Sequence, residues 1–366
     1  MKLNSIQILR AIAALMVVYT HSISEIENFA ASWQQHTAAH TALGTFGVDL
    51  FFVISGFIIY HSAGRLTGKT ASLTFLWHRF RRINPLYYIA VILTLITWTH
   101  SFLQHRRPPV TWLQALYWTI LLPVPGDNLR AVSQAWTLSY EWYFYLLFFL
   151  LILFRIRRKL LVLFPLGAIL ILSGWLLHDG GRGLPAFYTD PLLLEFLLGV
   201  AIGSASRRWN PGKTAALWLL TSGTLLCLLL LVTGYYNFLG PAAPHTAGLR
   251  YVHAVLWGGT AALIVAGCIF LENSGVAIFR RSPLLLLLGD ASYSIYLFHM
   301  LLLALISAFY LRVGFFLDPD LAIPISAVAV VALSLPVYKW VELPLLRWLK
   351  RFDPRHPIPP PPANPS

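Results

Sequence analysis

The chain has 366 residues, 57% of them hydrophobic and 11% charged, with a mean hydropathy of +0.67. A soluble domain carries about 25% charged residues. Composition therefore excludes a soluble enzyme, and the apolar runs are too many for a single anchor, so the fold itself is embedded in a bilayer. The net charge of +13 is read as loop charge of a polytopic protein, and no nucleic acid is expected as a partner.

Runs long enough to span fall at 6–23, 43–62, 84–102, 136–154, 160–177, 190–206, 214–234, 250–271, 291–312 and 321–340. The fold expected is all-α, a bundle of about ten transmembrane helices. Lys2 and Arg10 stand before a short apolar region, as in a secretory leader. Arg10 interrupts that run, however, and no small-residue cleavage site follows, so the run is expected to stay as a span. With the N-terminus cytoplasmic, the inner connections hold 21 of the 27 Lys and Arg residues and the outer ones hold six. That alternation predicts both termini on the cytoplasmic side of a bacterial inner membrane. The stretch 112–122 is apolar but too short to span, and Pro123 and Pro125 follow it, so an interfacial or re-entrant piece is expected within an outer loop from 103 to 135. The membrane domain covers 1–350, and a Pro-rich tail, 351–366, is expected to be disordered. Cys227 and Cys268 lie inside apolar runs and are assigned to packing, with no metal site.

Ionisable groups in spanning segments are costly and each is a candidate for function. Arg10 and His21 are eleven positions apart in the first run, which returns them to nearly one helix face, roughly 16 Å apart along the axis. The topology puts His21, Asp49 and Glu141 at one outer level, on three helices. A carboxylate beside a histidine sets its tautomer and raises its basicity, as general-base chemistry on a hydroxyl requires. The alternatives are a helix-end preference for Asp49, an interhelical hydrogen bond for Glu141 and an interfacial position for His21. At the inner side, Arg10 joins Arg79 and Arg82, expected just before the third span. Planar, multidentate guanidinium groups suit a phosphate-bearing ligand, and ordinary cytoplasmic anchoring is the alternative. Ser292, Tyr296 and His299 share a face of the ninth span, where they serve either a ligand or helix packing. Glu195 and His253 receive no role.

These residues sit in recognisable segments: Leu9-Arg10 with an apolar run to His21, GVDLFFVISGF from Gly47, the Arg79-x-x-Arg82 segment before Pro85, WTLSYE ending at Glu141, EFLLG, SYSIYLFH ending at His299, and VELP around Glu342. Together they resemble the acyltransferase-3 family of bacterial membrane proteins over nearly the whole chain. The opening segment is most similar to the subset associated with exopolysaccharide, succinoglycan-type, O-acetylation. The resemblance implies acetyl-CoA as cytoplasmic co-substrate and a sugar hydroxyl on a polysaccharide or lipid-linked precursor as acceptor. It makes His21 the catalytic residue, as general base or acyl relay, with Arg10, Arg79 and Arg82 serving the donor. Thr137 stands where many relatives have serine and keeps the hydroxyl. Some relatives carry a fused extracytoplasmic domain, so here acceptor choice is expected to rest on the helices and on loops 24–42 and 103–135. A carrier of a polysaccharide intermediate or acyl donor, without transferase chemistry, is the rival reading. The sugar, the choice between acetyl and succinyl, and the oligomeric state are not legible.

Overall fold

Apolar segments in a bilayer must satisfy their backbone groups internally, and here they do so as helices. The computed structural model describes residues 3–29, 39–103, 111–121, 132–177, 184–233, 247–276, 282–313 and 318–353. The order is α1 (Asn4–Phe29), α2 (Ala39–Ala63), α3 (Lys69–Leu103), α4 (Trp112–Ile120), α5 (Ala135–Leu153), α6 (Leu160–Leu177), α7 (Leu184–Tyr188), α8 (Leu192–Ala205), α9 (Gly212–Val232), α10 (Ala247–Asn273), α11 (Pro283–Val313) and α12 (Pro319–Pro336). A π-helical stretch, Val337–Glu342, leads into α13 (Leu343–Lys350). Among the described residues, nine helical segments are long and apolar enough to cross a membrane. The remaining expected run, 84–102, is the second part of α3.

The α3 helix refines one expectation. Arg79, Arg81 and Arg82 come just before the 84–102 run as expected, but no break separates them from it: all lie inside one 35-residue helix that continues through Pro85. Pro85 removes a single backbone donor, and Tyr293 of α11 donates to the neighbouring Ile83 carbonyl at 2.8 Å, tying the two helices there. The 112–122 stretch forms a helix too short to span, as its length predicts. The α4 helix has nine residues between a Thr111 capping box and a left-handed Leu121, about 14 Å at helical rise and less than half a hydrocarbon core. Residues 104–110 and 122–131 of that loop, 30–38 of loop 24–42 and the tail from 354 lie outside the described residues.

Burial separates centre from rim. In α2, 72% of the span window is buried, against 17% in α6 and 22% in α9, so α2 is central and the other two face lipid. The α2 helix packs on α1 and runs alongside α8, while α1 packs on α11. Small residues permit these approaches where lipid supplies no hydrophobic drive between helices. A methyl on Gly56 of α2 would overlap the Phe196 carbonyl of α8, one on Gly199 the Val53 carbonyl, and one on Gly289 of α11 the Gln7 carbonyl of α1. The glycines of the SGF and EFLLG segments are therefore contact points between backbones. The first amides of α1 are capped from another helix: Glu272 at the end of α10 accepts from Asn4 at 2.9 Å and from Ser5 at 2.8 Å, placing a carboxylate at the positive helix end. Cys227 and Cys268 are free and buried, in the packing role expected of them.

Candidate active site

One cavity gathers most of the charged residues singled out above. Arg10 of α1, Arg79 and Arg82 of α3, Glu141 of α5, and Ser292 and Tyr296 of α11 all line it, and its volume is about 110 Å³. Several of these groups have fixed neighbours. Glu141 accepts from Ser55 of α2 at 2.7 Å. Arg79 donates to Ser62 at 2.6 Å and lies over the rings of Phe75 and Tyr145, 5.3 and 5.5 Å from their centroids. Arg10 lies in the field of Arg82, Glu342, Glu141 and Asp290. Glu342 is buried in the π-helical stretch, where Ser294 donates to it at 2.5 Å. Sequence reasoning quoted Glu342 in a motif and gave it no role. The π-helical turn that carries it into the bundle has no local sequence signal beyond the flanking prolines.

His21 and His299 do not line this cavity. They meet each other beyond it, ring centroids 4.9 Å apart. Tyr296 stands between: its ring is 5.8 Å from that of His299 and its hydroxyl is 2.9 Å from the Thr137 hydroxyl on the cavity wall. Ser292, Tyr296 and His299 are thus divided, the first two facing the cavity and the third facing His21. The His21 Nδ1 is 2.9 Å from the Val17 carbonyl, one turn back on α1. A carbonyl only accepts, so Nδ1 carries the proton and Nε2 keeps the lone pair that a base needs. In His299 the Nδ1 is 2.6 Å from the Tyr296 carbonyl, leaving a buried Nε2 without a partner.

The carboxylates expected beside His21 are engaged elsewhere. Glu141 is in the cavity, bound to Ser55. Asp49 is buried in α2, and its Oδ1 is 3.0 Å from Nε2 of His253 on α10. Glu195 of α8 completes this group, and one ligand atom from each of Asp49, Glu195 and His253 lies within 4.8 Å of the others. These three are the described residues with the donor set for a metal, and the two residues left without a role by sequence reasoning are the ones gathered around Asp49, His253 by a direct contact. The signal was available: an ionisable residue in a span needs a partner, and the three lie on three different helices. Beside them Asp190 accepts from Tyr140 at 2.8 Å and from Leu192 at 3.0 Å, and pairs with Arg250. Breaking such a buried pair costs about 3–5 kcal/mol. Asp49→Leu is expected to lower the melting temperature of the solubilised protein sharply. Glu195→Gln, whose amide can donate to the unpartnered Asp49 Oδ2, is expected to leave it unchanged or raise it; a thermal melt in detergent compares the two.

A family model described as an acyltransferase domain matches residues 3–339. The chain belongs to the acyltransferase-3 family. It is therefore a multi-pass membrane acyltransferase. Over 324 residues, 86% of this chain and 93% of the relative, it is 29% identical to the exopolysaccharide production protein ExoZ of Rhizobium meliloti (strain 1021). Over 297 residues, 74% of this chain, it is 27% identical to the O-acetyltransferase OatA of Staphylococcus aureus (strain NCTC 8325 / PS 47). That match spans 47% of OatA, about half its length. No solved structure matches.

Proposed function

We propose that this acyltransferase moves an acetyl group from acetyl-CoA to a hydroxyl of an exopolysaccharide or its lipid-linked precursor. The observation that carries the reading is the division of the bundle along α1. An arginine-lined cavity holds Arg10 at one end, and a histidine with an available Nε2, His21, stands at the other, with Tyr296 between them. The names of the relatives support the acetyl group and the polysaccharide. The excess of basic residues in alternate connections supports Arg10 at the cytoplasmic end, so donor and acceptor approach from opposite faces.

On this reading Arg10, Arg79 and Arg82 serve the donor in the first cavity, along which the thioester is carried toward Tyr296. The acceptor hydroxyl enters from the His21 end. Its oxygen attacks the thioester carbonyl carbon as His21 Nε2 takes its proton. The C–S bond then breaks, and the proton returns from His21 to the departing thiolate, giving free CoA thiol and a sugar ester. The Thr137 and Tyr296 hydroxyls are the donors we assign to the carbonyl oxygen as it gains charge. The His299 ring supports His21 from the side, and no carboxylate is needed to orient it because Val17 does so.

The test is a pair of measurements. Membranes containing the protein, supplied with acetyl-CoA and host polysaccharide, are expected to release CoA thiol in step with new ester. Proton NMR of surface polysaccharide from a deletion strain is expected to lack ester signals that the intact gene restores. A carrier releases no thiol, and ester signals unchanged by deletion would overturn the proposal.

A further inference from the structure

A second cavity, of about 360 Å³, opens where α2, α5 and α8 end. Four guanidinium groups line it, those of Arg65, Arg157, Arg207 and Arg208, together with the hydroxyls of Thr67 and Ser204 and with no carboxylate. Its volume falls within the range of small-molecule sites. Arg65, Arg157 and Arg208 form no ion pair with any described residue. Four cations around one concavity repel one another, and an anion seated among them relieves that repulsion.

The walls are fixed in advance of any ligand. Arg207 donates to the His61 carbonyl and lies over the Tyr60 ring, 5.4 Å from its centroid. The buried Lys159 ammonium donates to the carbonyls of Gly64 and Leu66 at 3.2 and 2.7 Å, taking up acceptors that would otherwise face an anion. The Gly68 amide donates to the Ile152 carbonyl at 2.7 Å, locking the turn after α2 onto the end of α5. Planar guanidinium forks on a rigid frame match phosphate oxygens.

The two cavities are consecutive along α2. Ser55 and Ile58 line the first, Tyr60 and Gly64 the second, and Ser62, which holds Arg79 of the first, falls between Tyr60 and Gly64. From Ser55 to Gly64 is about 14 Å at helical rise. We propose that the arginine pocket of Arg65, Arg157, Arg207 and Arg208 binds phosphate esters, and that it seats the nucleotide end of the donor while the acyl end lies in the first cavity. The second clause rests on the acetyl-CoA reading above; the first does not.

The probe is adenosine 3′,5′-bisphosphate, titrated into the purified full-length protein in neutral-lipid nanodiscs. Saturable binding by the wild type is expected, weakened at least tenfold in Arg157→Ala/Arg208→Ala. Both positions are exposed, so an unchanged melting temperature is the control for folding. A parallel arm uses nanodiscs containing phosphatidylglycerol, with retained lipid counted by native mass spectrometry. If a lipid headgroup is the source, wild type keeps bound lipid that the double variant loses, and phosphate chemistry stands without the nucleotide. Equal binding by wild type and variant in both arms, or no binding in either, overturns the pocket. Thiol release separates the two readings. Wild type that binds the bisphosphate but releases no thiol from acetyl-CoA sinks the donor reading alone. A double variant with wild-type KM for acetyl-CoA and undiminished binding sinks the pocket alone.

Discussion

Substituting His21 by alanine is expected to reduce acetyl transfer by roughly 10²–10⁴-fold, the usual contribution of a positioned general base. The loss should fall on kcat rather than on KM for acetyl-CoA, because the ring does not line the cavity that holds Arg10, Arg79 and Arg82. His21→Asn is the sharper variant. Its side-chain amide can still donate to the Val17 carbonyl, which His21 Nδ1 meets at 2.9 Å, yet it has no basic nitrogen. Equal inactivity of the two, at equal protein in the membrane, separates a base from a packing residue. His299→Phe keeps a ring against His21 and loses one bond, from Nδ1 to the Tyr296 carbonyl, so it is expected to be milder. Full acetylation by His21→Ala would end the assignment.

The spans were legible because a bilayer accepts few backbone solutions, so length and polarity alone locate a helix. The continuity of α3 was not: three arginines and a proline read as a boundary, whereas the helix runs through them with Arg82 in the cavity and Tyr293 bonded beside Pro85. Charge type also carried far, since the arginines, Glu141, Ser292 and Tyr296 meet in one place. Pairing did not. Asp49 and His253 are separated by 204 residues, and depth in the membrane constrains which residues share a level without saying which helices are neighbours. The same blindness hid His299 beside His21, because a helical stripe tells which residues face together but not what they face.

Neighbours are set by glycines, and here the largest structural effect is expected. Gly199 of α8 faces the Val53 carbonyl of α2, and Gly56 of α2 faces the Phe196 carbonyl of α8, both so closely that a methyl overlaps backbone. Overpacking a core typically costs about 1–3 kcal/mol because side chains give way. Backbone in two packed helices cannot yield in that manner, so the helices must separate. Gly199→Val is therefore expected to cost at least the upper end of that range, to move Glu195 away from Asp49, and to deplete folded protein in the membrane. Gly248→Ala, where the nearest atom, on Trp175, is 4.0 Å away, is the matched control and should be silent. Thermal melts of solubilised protein, with membrane abundance by immunoblot, compare them. A Gly199→Val protein as abundant and stable as wild type would mean that α2 and α8 do not touch backbone to backbone, and the position of Asp49 against His253 would lose its support.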